Sequence, residues 1–130
     1  MLNLGKHLIC EYYGCTSSLL NDVARIQTLM REAAVSAGAT VVDERFHVFE
    51  PHGVSGVVVI AESHLTVHTW PEYGYAAVDI FTCGEQIDPQ NAADFIQNAL
   101  QSDRCDVRLL KRGIFDESEY AHLPHKPSIQ

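Results

Sequence analysis

The sequence has few basic residues and no long hydrophobic run, and these two absences exclude several classes of protein. Nine Lys and Arg residues stand against seventeen Asp and Glu, which gives a net charge of −8 at neutral pH. Domains that bind nucleic acid present clustered basic side chains to the phosphates, so we expect no nucleic-acid partner. The longest purely apolar run covers residues 57–61, whereas a membrane helix needs about 20 such residues, so we expect no membrane span.

The chain also lacks two features of exported proteins, a signal segment and a cysteine framework. Its N-terminus shows no basic start followed by an apolar stretch. The four cysteines form no CxxC pair; they are Cys10, Cys15, Cys83 and Cys105. We therefore expect a cytoplasmic protein with reduced thiols. With 46% hydrophobic and 20% charged residues, the composition predicts one globular domain over residues 1–130.

Residue periodicity predicts strands interleaved with two helices. The predicted strands cover residues 6–13, 40–50, 54–61, 64–70, 75–83 and 105–110. Apolar residues at three- and four-residue steps predict a helix over residues 16–37, which Thr16 or Ser17 would cap and Gly38 would end. Asp88-Pro89 predicts the start of the second helix, because an acidic cap precedes a proline in the first turn.

Two segments carry further expectations. The unbroken apolar run in residues 54–61 predicts a central strand that is covered on both faces. The tail from Glu117 onward carries Pro124 and Pro127, and we expect it to be loose.

The order of elements predicts an α+β fold, a two-layer sandwich in which both helices lie on one face of an antiparallel-rich sheet. The order β-α-β-β followed by β-β-α-β suggests two similar halves. Aromatic and titratable side chains share the other face; they are His64, His68, Trp70, Tyr75, Asp79, Phe81 and Cys83. Such a face usually meets a partner or a ligand, so we expect a dimer with a site on or near it.

Three kinds of chemistry compete for the segment 61–84. A hydrolytic Ser/His or Cys/His site needs an oriented base, yet Ser63 has no GxSxG elbow and no helix start after it. A metal site on His64 and His68 is disfavoured, because on a strand they lie roughly 13 Å apart at about 3.3 Å per residue. Zinc ligands lie about 2 Å from the ion. The third possibility is self-processing.

Self-processing begins when a serine hydroxyl attacks the carbonyl of the preceding residue and converts the amide into an ester. A base then removes the α-proton of the serine, the ester breaks by β-elimination, and hydrolysis leaves a pyruvoyl group. The chemistry requires a serine in a tight turn, an oxyanion donor and a base. Glu62-Ser63 lies at a predicted strand junction, and His68 lies on the strand that follows.

A long contiguous motif makes the third possibility specific. The matching segments are GKHL (5–8), SAGAT (36–40), GVSGVVVI (53–60), ESHLTVHTWPEYGYAA (62–77), Asp79 and FTCG (81–84). With these segments the sequence resembles the bacterial S-adenosylmethionine decarboxylases, which are pyruvoyl-dependent enzymes of polyamine synthesis. The resemblance covers residues 2 to 113 and is weak beyond Gly113.

The resemblance implies cleavage between Glu62 and Ser63, into a β chain of residues 1–62 and an α chain of residues 63–130. Ser63 would become the covalent pyruvoyl cofactor. That group would capture the amine of S-adenosyl-L-methionine and accept the electrons left by departing CO₂. The product would be S-adenosylmethioninamine, the aminopropyl donor for spermidine.

The resemblance also assigns roles to individual residues. Ser55 would support processing by hydrogen bonding, and His68 would be the base that drives elimination. Cys83 would protonate the product carbon after decarboxylation. Glu72 resembles the carboxylate that holds the ribose hydroxyls. The aromatic residues Phe49 and Trp70 are candidate contacts for the adenine or the sulfonium.

The same resemblance implies a homo-oligomer of αβ protomers, a dimer of heterodimers, and no metal in the site. Two alternatives stay open. One is a pyruvoyl decarboxylase that acts on another amino acid. The other is a dimeric domain of the same fold without catalytic activity.

Overall fold

The computed structural model describes residues 2–124, which form one antiparallel sheet with helices packed on it. The strands are β1 (Leu2–Tyr13), β2 (Thr40–Val48), β3 (Val54–Ala61), β4 (Ser63–Trp70), β5 (Tyr75–Cys83) and β6 (Arg104–Phe115). The helices in this part of the chain are α1 (Ser17–Leu20), α2 (Val23–Ser36), α3 (Pro89–Leu100) and α4 (Glu117–Ala121). The strand order is β2-β3-β4-β5-β1-β6, and all neighbours are antiparallel. The predicted α+β sandwich is therefore confirmed.

The core lies between the sheet and the long helices α2 and α3. In β4, Leu65 and Val67 are buried, whereas His68 and Trp70 point to the other face and are exposed. The core also reaches across the layers, because the buried Tyr12 donates a hydrogen bond from its hydroxyl to the carbonyl of Ala93 on α3 at 2.7 Å. The predicted division of the sheet into a helix-covered face and an open face is confirmed. Within residues 2–124, no helix is long and apolar enough to cross a membrane.

The prediction of one continuous helix over residues 16–37 is wrong, because the chain breaks into α1 and α2 at Asn21 and Asp22. Asp22 caps α2 by accepting a hydrogen bond from the backbone N–H of Arg25 at 3.2 Å. The carbonyl of Leu20 accepts a hydrogen bond from the hydroxyl of Thr69. Thr16 occupies the N-cap position of α1, but its hydroxyl donates to the side chain of Gln101 and does not cap the helix. The apolar stripe continues through this break, so the periodicity alone does not reveal it.

The prediction that β3 is covered on both faces is also wrong for the single chain. β3 is an internal strand, as expected, and lies between β2 and β4. Val58 and Ile60 face the helices and are buried, but Val59 points to the open face and is 39% exposed. Residues 2–124 therefore cover the helix side of β3 and leave its other side partly exposed.

The terminal elements are longer than the periodicity indicated. β1 begins at Leu2 and β6 extends to Phe115, because the two strands pair from Leu2 and Phe115 onward. The tail is not loose from Glu117, since α4 starts there and Asp116 closes a capping box with Glu119. Pro124 follows α4, and Pro127 lies outside the described residues.

Candidate active site

Ser63 lies at the turn between β3 and β4 in a backbone conformation that a serine rarely adopts. Ile60 of β3 pairs with Ser63 of β4, and Glu62 alone lies between the ends of the two strands. The φ angle of Ser63 is 140°, in the region that favours glycine. A residue held in such a rare backbone conformation destabilises the folded state by about 1–3 kcal/mol. These conformations persist where the surrounding structure holds them, often at functional sites. The peptide at Glu62-Ser63 is therefore part of a tight, strained turn.

The thiol of Cys83 is the polar partner of Ser63. The Oγ of Ser63 and the Sγ of Cys83 are 3.2 Å apart and share a hydrogen bond. Cys83 ends β5, beside Thr82, which pairs with Ser63 across the ladder. Both side chains are only partly buried, so the pair is accessible from outside the chain.

Ser55 and His68 form a second pair on the open face. They lie opposite each other on β3 and β4. The Oγ of Ser55 and the Nδ1 of His68 are 2.7 Å apart. In the described part of the chain, no carboxylate pairs with the imidazole of His68. The pair thus lacks the acidic third member of a hydrolytic triad.

A cleft beside this pair contains the residues that the resemblance assigns to the nucleoside. Its volume is about 270 Å³, and its lining includes Phe49, His68, Trp70 and Glu72. Phe49 is 48% exposed and Trp70 is 39% exposed, so part of each ring is accessible, although Trp70 packs against Tyr75 and Phe49 against His47. A hydrogen bond from its own backbone N–H, followed by contact with His52, holds the pKa of Glu72 below its ordinary value. Glu72 is accordingly a carboxylate that can accept hydrogen bonds at neutral pH.

The single chain does not bring Ser63 and His68 together. They stand at opposite ends of β4, and five residues of strand span roughly 16 Å at about 3.3 Å per residue. The Ser63–Cys83 pair is therefore one group, and Ser55, His68 and the cleft are another. His68 lies on the strand that begins at Ser63, as expected, and the extended strand separates the two side chains within one chain.

The hydrolytic site and the metal site considered for this segment gain no support from this arrangement. In the part of the chain that the structure describes, no histidine is in hydrogen-bond contact with the Ser63–Cys83 pair, so neither nucleophile has an adjacent base there. His64 packs against the ring of Phe81, with the ring centroids 5.7 Å apart. Among residues 2–124, no group of three or more His, Cys, Asp or Glu side chains could hold a metal ion.

Comparison with known proteins gives the same family over nearly the whole chain. The family model described as S-adenosylmethionine decarboxylase matches residues 6–113. The S-adenosylmethionine decarboxylase proenzyme of Thermosipho melanesiensis is 51% identical over 99% of this chain and 100% of its own length. That of Thermotoga maritima is 50% identical with the same coverage. The chain belongs to the S-adenosylmethionine decarboxylase family.

A solved structure of the family supports the fold as well. The crystal structure of the adenosylmethionine decarboxylase from Aquifex aeolicus has a TM-score of 0.84 and 37% identity, and the match covers 90% of this chain and 97% of that one. The layered architecture described above is thus that of an S-adenosylmethionine decarboxylase. The alternative of an unrelated hydrolase or metal-binding domain is set aside.

The sequence alone assigns no role in the site to His52, Glu11 or Asp79. The Nε2 of His52 lies 2.9 Å from the Oε2 of Glu72. Glu11 accepts a hydrogen bond from the hydroxyl of Tyr75 at 2.9 Å. Asp79 accepts one from the hydroxyl of Thr66 at 3.1 Å, which is consistent with a structural part in the sheet face. The His52 contact joins two turns twenty residues apart, and no periodicity predicts such a contact.

Proposed function

We propose that this protein decarboxylates S-adenosyl-L-methionine to S-adenosylmethioninamine and CO₂, with a pyruvoyl group made from Ser63. Membership of the decarboxylase family supports the reaction class. The observation that carries the proposal for this chain is the conformation of Ser63. This residue lies in a tight turn with a strained φ angle of 140°, and its hydroxyl shares a hydrogen bond with the thiol of Cys83. The product would serve polyamine synthesis as an aminopropyl donor, in the cytoplasm.

In the self-processing reaction, the Oγ of Ser63 attacks the carbonyl carbon of Glu62. The peptide C–N bond breaks, and the nitrogen of residue 63 takes the hydroxyl proton, which leaves an ester. The partner subunit's His68, in the dimer proposed below, then removes the α-proton of residue 63, and the Cβ–O bond breaks to release the Glu62 carboxylate. Water replaces the nitrogen of the resulting dehydroalanine, so ammonia leaves and a ketone remains. Ser55, which shares a hydrogen bond with His68, stabilises the intermediate.

The surroundings of Ser63 fit the pyruvoyl group, because the residue is partly exposed and a thiol already lies at its side chain. When formed, the group supplies an electron sink for decarboxylation. Cys83 delivers a proton to the α-carbon of the substrate after CO₂ leaves. A thiol titrates near 8.5 when unperturbed, so it can donate a proton close to neutral pH.

The cleft next to His68 supplies the groups that a nucleoside needs. The Glu72 carboxylate accepts hydrogen bonds from the two ribose hydroxyls. The rings of Phe49 and Trp70 contact the adenine or the sulfonium. A cation over an aromatic face gains about 0.5–2 kcal/mol, depending on desolvation. The net charge of −8 also favours a cationic substrate over an anionic one.

We further propose that the working form is a homo-oligomer, a dimer of αβ protomers made of residues 1–62 and 63–130. The separation of the two groups along β4 supports this assembly. In a twofold dimer, one copy's Ser63 and Cys83 can meet the partner's Ser55, His68 and cleft. The open sheet face, with Val59 and Trp70 exposed, offers apolar area for such contact.

The test of the proposal is Ser63→Ala, with Ser118→Ala as the control. Ser118 lies on the exposed helix α4, so its variant should process and react normally. Ser63→Ala should remain a single chain by intact-mass analysis and release no labelled CO₂ from S-adenosylmethionine, because alanine has no hydroxyl to attack or eliminate. Splitting of Ser63→Ala at residue 62 would overturn the self-processing step. Wild-type release of CO₂ from arginine or ornithine instead would favour another amino acid as substrate.

A further inference from the structure

His52 and Glu72 connect two turns at one end of the cleft. His52 lies in the turn between β2 and β3, and Glu72 lies in the short helical turn Pro71–Tyr73 between β4 and β5. The Nε2 of His52 and the Oε2 of Glu72 are 2.9 Å apart. Their side chains are 37% and 38% exposed, and both line the cleft that contains Ser55 and His68.

The backbone that carries His52 is held in place from several sides. The N–H of Gly53 donates a hydrogen bond to the side chain of Asn21 at 2.9 Å. The N–H of Phe49 donates to the carbonyl of Gly53 at 2.8 Å and closes the turn. Gly53 has a φ of 111°, which a residue with a side chain would adopt only with strain. His52 is thus presented from a turn of defined geometry.

The turn that carries Glu72 is tied down as well. The hydroxyl of Ser17 donates a hydrogen bond to the carbonyl of Pro71 at 2.7 Å. The N–H of Cys15 donates to the carbonyl of Gly74 at 2.9 Å. The Glu72 carboxylate accepts a hydrogen bond from its own backbone N–H. His52 supplies the side-chain contact that fixes it further, at the mouth of the cleft.

The chemistry of the pair assigns the donor. An ionised carboxylate only accepts hydrogen bonds, so the Nε2 of His52 carries the proton and donates it. A carboxylate offers about four acceptor positions. Glu72 can therefore accept from His52 and from the hydroxyls of a ligand at the same time, and the pair does not block the cleft.

We propose that His52 is a positioning residue, which holds the Glu72 carboxylate in the orientation that receives the substrate's vicinal hydroxyls. The inference rests on the proposed function of Glu72 in ribose binding. Its consequence is pre-organisation, because the Glu72 side chain is immobilised before the substrate binds. The entropy lost on ordering that side chain then does not reduce the binding free energy of the substrate. His52 acts through Glu72 and touches no reacting atom, so it affects substrate affinity and leaves the chemical step alone.

A matched pair of variants tests the hydrogen bond separately from the shape of the side chain. His52→Gln keeps an N–H donor at a similar reach, whereas His52→Met has similar length without a donor. We expect His52→Met to raise the KM for S-adenosylmethionine about three- to tenfold, the effect of freeing one side chain, with kcat within about twofold. His52→Gln should stay within about twofold of wild type in both constants. His122→Asn, on the exposed end of α4, is the control.

The double variant His52→Met/Glu72→Gln separates this inference from the proposed function. We expect Glu72→Gln alone to raise KM and the added His52→Met to change it no further, because His52 works through that carboxylate. Activity is expressed per cleaved chain, so that incomplete processing does not count as weak binding. An unchanged KM in Glu72→Gln would overturn the role of Glu72 and, with it, this inference. A raised KM in Glu72→Gln with normal KM in His52→Met would overturn the inference about His52 alone, and so would a fall in kcat equal to the rise in KM.

Discussion

At the residue scale, the candidate site consists of hydrogen-bonded pairs of side chains. Its contact with Ser63 distinguishes Cys83 from the buried cysteines of the core. Cys83 is partly exposed and contacts Ser63. Burial raises the pKa of the Cys10 thiol to about 12 and that of Cys15 to about 11, with desolvation as the largest cause in each case. These two thiols lie in the hydrophobic core, where they pack as small apolar side chains. The location of Cys83 therefore suits proton transfer, and theirs suits packing.

The proposed role of Cys83 as proton donor leads to a prediction about its alanine variant. Cys83→Ala should still cleave itself, because the Ser63 hydroxyl and the base remain. Its decarboxylation should fall by about a hundredfold or more, the usual contribution of a positioned general acid. Intact mass reports the cleavage, and labelled CO₂ per cleaved chain reports the turnover. Cys105→Ala, on the outer strand β6, serves as the control, and normal turnover of Cys83→Ala would remove this residue from the role.

At the scale of elements, strand alternation predicted the two faces of the sheet, but it did not predict where helices break. The alternation in β4 and β5 follows from the pleat of a strand. It therefore correctly placed Leu65 on the helix-covered face and His68 on the open face. The break between α1 and α2 depends on Asn21, which binds Gly53, and on Thr69, which binds Leu20. These partners lie more than thirty residues away in sequence, so a local apolar stripe carries no trace of them.

The candidate site divides in the same way between what was predictable and what was not. The contiguous motif supplied the candidate residues Ser63, His68 and Cys83, which all stand within it, and their roles stay predictions. The separation of Ser63 from His68 was also predictable, because the same rise of about 3.3 Å per residue that excluded a His64–His68 metal site applies to them. The contact of His52 with Glu72 was not, because it depends on how two turns approach each other in space.

The capping of α2 gives a prediction at this scale. Asp22→Ala should lower the free energy of unfolding by about 1 kcal/mol, because the N–H of Arg25 loses its acceptor at the start of the helix. Asp22→Asn keeps an acceptor and should stay close to wild type. The midpoint of urea denaturation measures both variants at equal pH. Equal midpoints for Asp22→Ala and wild type would show that α1 and α2 do not depend on this cap.

At the scale of the whole molecule, a twofold assembly would explain two features together. These are the open face of the sheet and the separation of Ser63 from His68 along β4. One chain covers one face of its sheet and leaves Val59 and Trp70 exposed on the other. The same chain holds the serine to be processed at one end of β4 and the proposed base at the other. A twofold assembly would resolve both features, because self-complementary contact buries one patch from each copy and repeats each half of the site.

The assembly predicts that processing occurs between copies, and two inactive variants can test it together. His68→Ala keeps the serine and lacks the base, whereas Ser63→Ala keeps the base and cannot be cut. Neither should cleave when expressed alone. When both are expressed together, random pairing places about half of the His68→Ala chains beside a Ser63→Ala partner, and those chains should cleave. An affinity tag on one variant identifies mixed dimers, and mass analysis identifies which chain is cut. Mixed dimers in which the His68→Ala chain stays whole would mean that the partner's His68 does not act on Ser63.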